Sequence, residues 1–260
     1  MTKPKKALPI LLTLSFASGL WLWAQRRDDE EFEGFEDDLM ALTQVGEQIT
    51  LNQLSLKTFR CQEKISVVES DAKTKSTQHR EFSHPYIVAR EPDRRVNEKL
   101  IFSESRTLAP DGAAVGWEDV PLIDEPFTGR WIDAFSFENR MANDFKKKPP
   151  ETIDGRACLV FAFETVPELT RTKFSVLGQS LKLRQRGKVW IDAKSNQLVR
   201  LTGLQTKLPK GFKSYEYRIE FQTLPLFGRK MSLPTQAELK VALKDKSFVV
   251  VQEYSRFEER

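Results

Sequence analysis

Few residues of this chain have the types and spacings that catalysis or metal binding requires. The chain contains two histidines, His79 and His84, and no carboxylate or thiolate lies at a recognisable metal-ligand spacing from them. We therefore expect both histidines at the surface or on an edge strand. No G-x-S-x-G, H-E-x-x-H or glycine-rich phosphate loop occurs. The sequence predicts a non-enzymatic protein without metal or cofactor. A hydrolase that uses a carboxylate pair remains an alternative, because such a pair has no sequence signature.

The chain has two cysteines, Cys61 and Cys158. In an oxidising compartment they can form one disulfide, which would close a long loop. Unpaired cysteines otherwise pack as small apolar side chains. The sequence leaves both readings open: one disulfide, or two buried thiols.

The N-terminal sequence predicts export. The basic stretch MTKPKK precedes the apolar run ALPILLTLSFASGLWLW and the small residue Ala24. This order is typical of a secretory signal peptide, so we predict a signal peptide over 1–24, cleavage near Ala24, and a periplasmic or secreted protein. An uncleaved anchor is the competing interpretation, since the apolar run of 17 residues only just reaches the lower bound for a membrane span. Membrane contact is otherwise expected to be transient.

The charge of the mature chain argues against nucleic-acid binding. The net charge is +4, but Lys3, Lys5 and Lys6 lie in the predicted signal peptide, which leaves +4 minus 3, or +1. Nucleic-acid binders concentrate excess positive charge in the folded domain. Residues 25–34 are predicted to be an acidic linker, because the stretch DDEEFEGFEDD contains eight acidic residues in eleven positions.

The hydrophobic period changes along the chain from that of a helix to that of strands. Apolar residues recur at spacings of three and four from Phe35 to Ile49, which predicts an amphipathic helix. Beyond Leu56 the alternation has period two, which predicts strands. We predict nine strands, at 57–69, 80–90, 98–108, 155–165, 180–192, 197–203, 213–223, 235–244 and 247–259. The prediction is one mainly β domain over 35–260, with a curved antiparallel half-barrel sheet, the helix, and a short helical or loop lid.

The sequence predicts a specific structure or position for each of three further segments. GRACLVFAFET is apolar on both faces and is predicted to lie centrally in the sheet. KKKPPETIDG is interpreted as turn material. The segment 126–145 is predicted to be a short helix or a crossing loop, with Trp131, Phe135 and Phe137 pointing inward.

The stretch GKVWIDAKSNQLVRLTG predicts a hairpin with a defined register. If Val189 lies opposite Leu201 and Ile191 opposite Val199, then Trp190 faces Arg200, which favours stacking of the guanidinium on the indole. The aliphatic residues extend a covered apolar wall. The candidate ligand-lining residues are Leu159, Phe161, Phe163, Leu181, Leu183, Val189, Ile191, Val199 and Leu201. The alternating basic residues Lys182, Arg184, Arg186 and Lys188 are predicted to point to water.

The order of these elements resembles a known superfamily. A first strand at TFRCQEKI, the IDGRACLVFAFE strand, the KVWIDAKSNQLVRL hairpin and the closing VVQEYSRFEE are similar to the LolA/LolB-like superfamily of periplasmic lipoprotein carriers. The resemblance implies a half-open antiparallel barrel with helices over its mouth, which binds acyl chains or senses lipoproteins.

The function predicted is non-enzymatic binding of an apolar ligand, a lipid or acyl chain, inside the curved sheet. The alternative is an envelope protein that binds another envelope protein with the outer face or edge of the same sheet. Sequence does not decide whether the covered face encloses a cavity or is packed core.

Overall fold

A computed structural model describes residues 40–52, 54–96, 99–106, 140–170, 173–176, 179–182 and 184–260. The chain divides into two compact units, residues 1–43 and 44–260. The predicted signal peptide, the acidic linker, the domain start at residue 35 and the inward-pointing Trp131, Phe135 and Phe137 lie outside the described residues. Among the helices that are described, none combines the length and apolar character that crossing a bilayer requires.

The described residues form one helix and twelve strands. Helix α1 spans residues 40–55, with residue 53 outside the described residues, and residues 140–141 form one helical turn. The strands are β1 (Phe59–Asp71), β2 (Ser76–Val96), β3 (Lys99–Arg106), β4 (Asn143–Ile153), β5 (Arg156–Thr165), β6 (Lys173–Val176), β7 (Gln179–Lys182), β8 (Gln185–Asp192), β9 (Leu198–Gln205), β10 (Phe212–Leu226), β11 (Arg229–Leu243) and β12 (Lys246–Glu259).

Ten strands form one open antiparallel sheet. Their order is β3-β2-β1-β12-β11-β10-β9-β8-β5-β4, while β6 and β7 form a separate two-stranded sheet. The sheet is not closed, because β3 and β4 are both edges. The predicted mainly β fold with an open antiparallel sheet is therefore confirmed.

The edge strand β4 contains most of the segment KKKPPETIDG. The interpretation of this segment as turn material is therefore wrong. Only Asp154 and Gly155 form the turn, with φ of 48° and 75°, which suits a tight two-residue hairpin. Exposed lysines and two prolines line the strand, from Lys146 to Pro150. Lysine and proline both oppose the pairing of an edge strand with another chain. β5 lies beside this edge strand and is not central, contrary to prediction.

The predicted strand 180–192 is two strands in different sheets. Leu181 lies in β7 and pairs with Phe174 of β6, whereas Val189 lies in β8 of the large sheet. The alternation that runs through both segments therefore does not place their side chains on one face.

Cross-strand pairing defines the two faces of the large sheet. One, the helix face, carries Ile219, Leu201 and Val189, which lie opposite one another on β10, β9 and β8. The other, the groove face, carries Arg200 and Glu220, which also lie opposite one another. One apolar cluster, on the helix face, contains Ile65, Val67, Tyr215, Leu239, Val241, Phe248 and Val250. A smaller cluster on the groove face contains Ile153, Cys158, Val160, Trp190 and Val199.

Both cysteines are buried free thiols. Cys61 lies on β1 and Cys158 on β5, with five strands between them in the sheet order. The structure therefore contradicts the disulfide reading and agrees with the alternative of two buried thiols. Burial raises the pKa of both thiols, so they stay protonated and unreactive at neutral pH.

Candidate functional site

The helix face carries a continuous apolar wall across four strands. Phe161 lies opposite Val189, Val189 opposite Leu201, and Leu201 opposite Ile219. Each of these four side chains is at most 2% exposed. Ile191, which is fully buried, extends the wall opposite half-buried Leu159. The register thus brings together most of the residues that the sequence analysis proposed.

Val199 is not part of this wall. A bulge between Trp190 and Ile191 shifts the register, so that Ile191 lies opposite Leu198. The extra residue turns Val199 to the groove face, where it packs beside Trp190. The predicted pair of Ile191 with Val199 is therefore wrong, and Leu198 takes that place in the wall.

Three predicted wall residues remain, Phe163, Leu181 and Leu183. Phe163 is buried and lies opposite Gly187 on the helix face. Leu181 belongs to the small sheet, and its side chain and that of Leu183 lie outside the described residues.

The predicted basic strip is largely exposed. Lys182, Arg186 and Lys188 are exposed, as expected, while Arg184 is half-buried. The guanidinium carbon of Arg200 lies 5.6 Å from the centre of the Trp190 ring, which confirms the predicted stacking.

Helix α1 covers one end of the apolar wall. Its residues Val45 and Ile49 pack toward Leu198, Phe221 and Leu233 around a cavity of about 20 Å³. A cavity of this size holds about one water molecule, whereas small-molecule sites enclose roughly 300–1,000 Å³. The space between the helix and the wall is therefore too small for an apolar ligand unless the helix moves.

Polar contacts fix the same helix to the sheet. Gln44 Oε1 accepts a hydrogen bond of 2.7 Å from Asn196 Nδ2. At the other end of the helix, Arg229 Nη1 donates to Ser55 Oγ at 2.7 Å. Each of these bonds contributes about 1 kcal/mol. The helix is held by a few contacts that can be broken and re-formed.

A buried polar cluster occupies the helix face of β1, β2, β3 and β12, away from the apolar wall. Its centre is Glu63, which is 0% exposed. Arg106 donates from Nε to Glu63 Oε2 (2.7 Å) and from Nη2 to Glu63 Oε1 (3.1 Å). His84 Nε2 lies 2.6 Å from Glu63 Oε2. Gln252 and Tyr254 each donate to Glu63 Oε1 at 3.1 Å. Five hydrogen bonds therefore satisfy one buried carboxylate.

The electrostatics of this cluster favour the charged carboxylate. Burial by itself raises the pKa of Glu63, but the hydrogen bonds and charges of His84 and Arg106 outweigh burial and lower it. Burial and the Glu63 charge raise the pKa of Tyr254, so its hydroxyl stays a donor. The cluster is a hydrogen-bonded core element around a charged Glu63 carboxylate, and it ties three neighbouring strands to the edge strand β3.

The histidines behave differently from each other. His79 is exposed, as predicted. His84 is only 4% exposed and binds Glu63, so the expectation of a surface position is wrong for it. Within the described residues, no group of three or more His, Cys, Asp or Glu side chains is arranged to hold a metal ion.

No family model and no curated protein matches the chain. Solved structures that are similar to it include the following three. One is a DUF1329 family protein from Desulfovibrio piger ATCC 29098, with 10% identity, a TM-score of 0.40, and coverage of 84% of this chain and 92% of that chain. Another is a putative outer membrane lipoprotein-sorting protein domain from Vibrio parahaemolyticus, with 10% identity, a TM-score of 0.39, and coverage of 82% and 90%. The third is the Mycobacterium tuberculosis lipoprotein LppX, with 11% identity, a TM-score of 0.31, and coverage of 86% and 97%.

All three TM-scores are below 0.5. The function proposed below therefore rests on the residues of this chain.

Proposed function

We propose that this protein is a non-enzymatic envelope protein that binds the apolar part of a lipid or acylated ligand on the apolar wall. The observation that carries the proposal is the wall itself, which runs from Phe161 to Ile219 over four strands of an open sheet. Helix α1 covers its end through Val45 and Ile49. In the proposed mechanism the helix moves aside and the ligand takes its place against the wall.

Exchange of the helix for an acyl chain replaces one buried apolar surface with another of similar burial free energy. When two aliphatic side chains move from an apolar environment into water, each loses about 1.5–3 kcal/mol of burial free energy. An acyl chain gains about 0.8 kcal/mol for each CH₂ group that it buries. A chain of about eight methylene groups therefore offsets the loss of the Val45 and Ile49 contacts.

The helix movement can be tested by covalent locking. In a Gln44→Cys/Asn196→Cys variant, a short bismaleimide is expected to join α1 to the loop between β8 and β9, because the native side chains lie within hydrogen-bond distance. We expect the locked protein to lose binding of a fluorescent fatty-acid probe by at least tenfold. Fluorescence titration measures this loss. The native thiols are buried and stay protonated, so they do not compete for the reagent.

The same double variant without the cross-linker is the matched control and is expected to bind the probe as the wild type does. Equal probe binding by the locked and unlocked proteins would contradict a moving helix. Absence of probe binding by the wild type would remove the proposed function itself.

The proposed site of action is the periplasm or the exterior of the cell. This proposal rests on the basic start, the short apolar run and the small residue Ala24. We expect the exported protein to begin close to Gln25, and intact-mass measurement of the purified protein checks this. A mass that retains MTKPKK would instead indicate an uncleaved anchor.

A further inference from the structure

The groove face carries an open groove that the proposed function does not use. Its volume is about 1140 Å³, much larger than the space beneath the helix. Residues from β1, β2, β5, β9, β10, β11 and β12 and from the turn between β4 and β5 line it. We call this feature the polar groove.

The polar groove carries an excess of positive charge. Its lining includes the cations Lys64, Arg156, Arg200, Arg218 and Arg256, and the carboxylates Asp154, Glu220 and Glu253. Charged groups inside a concave surface raise the local concentration of ligands of opposite sign. The groove therefore favours a ligand with negative charge.

Two of these arginines form no close ion pair. Glu220 Oε1 accepts hydrogen bonds from Nε of Arg200 (2.7 Å) and from Nε of Arg218 (2.5 Å), so both arginines pair with this one carboxylate. The guanidinium groups of Arg156 and Arg256, by contrast, form no side-chain hydrogen bond or close ion pair with another described residue, although the Arg156 charge contributes to the lowered pKa of Asp192. A guanidinium group presents its donors in a planar fork that matches a carboxylate. Arg156 and Arg256 are therefore available to bind carboxylates of a ligand.

The backbone supports this role for Arg256. Its φ is 55°, in the left-handed region that residues with side chains rarely adopt. The residue lies where the pairing of β1 with β12 is interrupted, next to Ser255, which lies opposite Gln62. Strained residues of this kind concentrate at binding and switch sites, where the surrounding structure holds them in place.

The neutral lining of the groove indicates what carries the negative charge. Gln62, Gln222, Gln236 and Ser255 contribute amide and hydroxyl groups. Amides both donate and accept hydrogen bonds, as a peptide backbone does. Arg156 on β5 and Arg256 on β12 have four strands between them in the sheet order, so a ligand that pairs with both must be extended.

We propose that the polar groove binds an extended acidic polypeptide segment of a partner protein. Carboxylates of the segment pair with Arg156 and Arg256, and its backbone bonds to the glutamine and serine side chains that line the groove. The protein would thus present two independent sites, an apolar wall on one face of the sheet and an acidic-peptide groove on the other.

The test uses a fluorescein-labelled peptide of alternating glutamate and glutamine, with a lysine and glutamine peptide as its counterpart. We expect the acidic peptide alone to bind the wild-type protein, with weaker binding at higher salt. In an Arg156→Glu/Arg256→Glu variant we expect at least a tenfold loss. A Lys207→Glu/Lys210→Glu variant, which makes the same charge change at exposed positions outside the groove, is expected to lose less than threefold. Fluorescence anisotropy measures the binding, and melting temperatures confirm that both variants fold.

Three outcomes would overturn the proposal. The acidic peptide does not bind the wild type, or the two double variants lose binding equally, or the groove variant loses binding to phosphatidylglycerol vesicles and keeps binding to the peptide. The last outcome would assign the groove to a lipid headgroup. Fatty-acid probe binding is expected to be unchanged in the groove variant, so that failure here is distinct from failure of the proposed function.

Discussion

Replacing Ile191 with aspartate is expected to unfold the protein or to abolish binding of a fluorescent fatty-acid probe. Ile191 is fully buried and lies between Leu159 of β5 and Leu198 of β9. A carboxylate at this place would have apolar neighbours on both adjoining strands and would be buried without a partner. The expected loss is about 4 kcal/mol or more in the free energy of unfolding, against a total of about 5–15 kcal/mol for a typical domain. Urea unfolding and probe titration measure the two effects.

Two controls separate the apolar wall from the strand that carries it. Arg186→Ser, at an exposed position of the same strand β8, is expected to change neither stability nor probe binding. Ile191→Val keeps the wall apolar and is expected to cost about 0.5–1.5 kcal/mol, with probe binding retained. A folded Ile191→Asp protein that binds the probe as the wild type does would remove the basis for lipid binding.

The alternation of side chains predicted most of the wall because period two leaves few choices of register. Val189 lies opposite Leu201 and Trp190 opposite Arg200, as expected from the sequence. The prediction fails one residue later, at the bulge between Trp190 and Ile191. A bulge adds one residue to one strand without changing the composition of either strand. The alternation of apolar residues therefore cannot reveal the bulge, and the prediction that Val199 lies in the wall is wrong.

The edge strand β4 shows a second limit. Lysines and prolines have low strand propensity, so KKKPP predicts a turn. The same residues are favoured on an edge strand, where one side of the backbone faces water and pairing with another chain must be prevented. Whether KKKPP forms a turn or an edge strand depends on its position in the sheet. That position depends on contacts between residues distant in sequence.

The polar cluster did have a signal in the sequence. Along β1 the buried positions alternate as Cys61, Glu63, Ile65 and Val67, so that one carboxylate interrupts an apolar row. His84 interrupts the corresponding row of β2 between Phe82 and Tyr86. A charged residue at a buried strand position needs a partner, because burial without one is costly. The sequence could thus predict that Glu63 is paired, but identifying the partners required the order of β3, β2, β1 and β12.

Replacing Glu63 with glutamine is expected to lower the free energy of unfolding by about 3–5 kcal/mol, the usual cost of removing one partner of a buried ion pair. Glutamine has one acceptor oxygen where the carboxylate has two, and its NH₂ group would face donors such as Arg106 and His84. The Arg106 side chain is 4% exposed, so its buried charge would lose the attraction of the Glu63 carboxylate. Glu81→Gln is the matched control. Its side chain is 65% exposed and pairs with Lys64 at 3.2 Å, so a change below about 1 kcal/mol is expected.

The pH dependence of stability tests whether the charge of Glu63 causes this loss. The pKa of Glu63 is lowered in the folded state, so the carboxylate stabilises the protein fully above the pKa of an unfolded glutamate, about 4.3. That stability is lost as the pH falls below this value and through the folded pKa. The difference between wild type and Glu63→Gln, measured by urea unfolding, is therefore expected to be largest at pH 7 and to shrink below about pH 4. A difference that stays constant down to pH 3 would show that glutamine destabilises the protein through shape and hydrogen bonding, and that the buried charge of Glu63 adds nothing to the stability of the sheet.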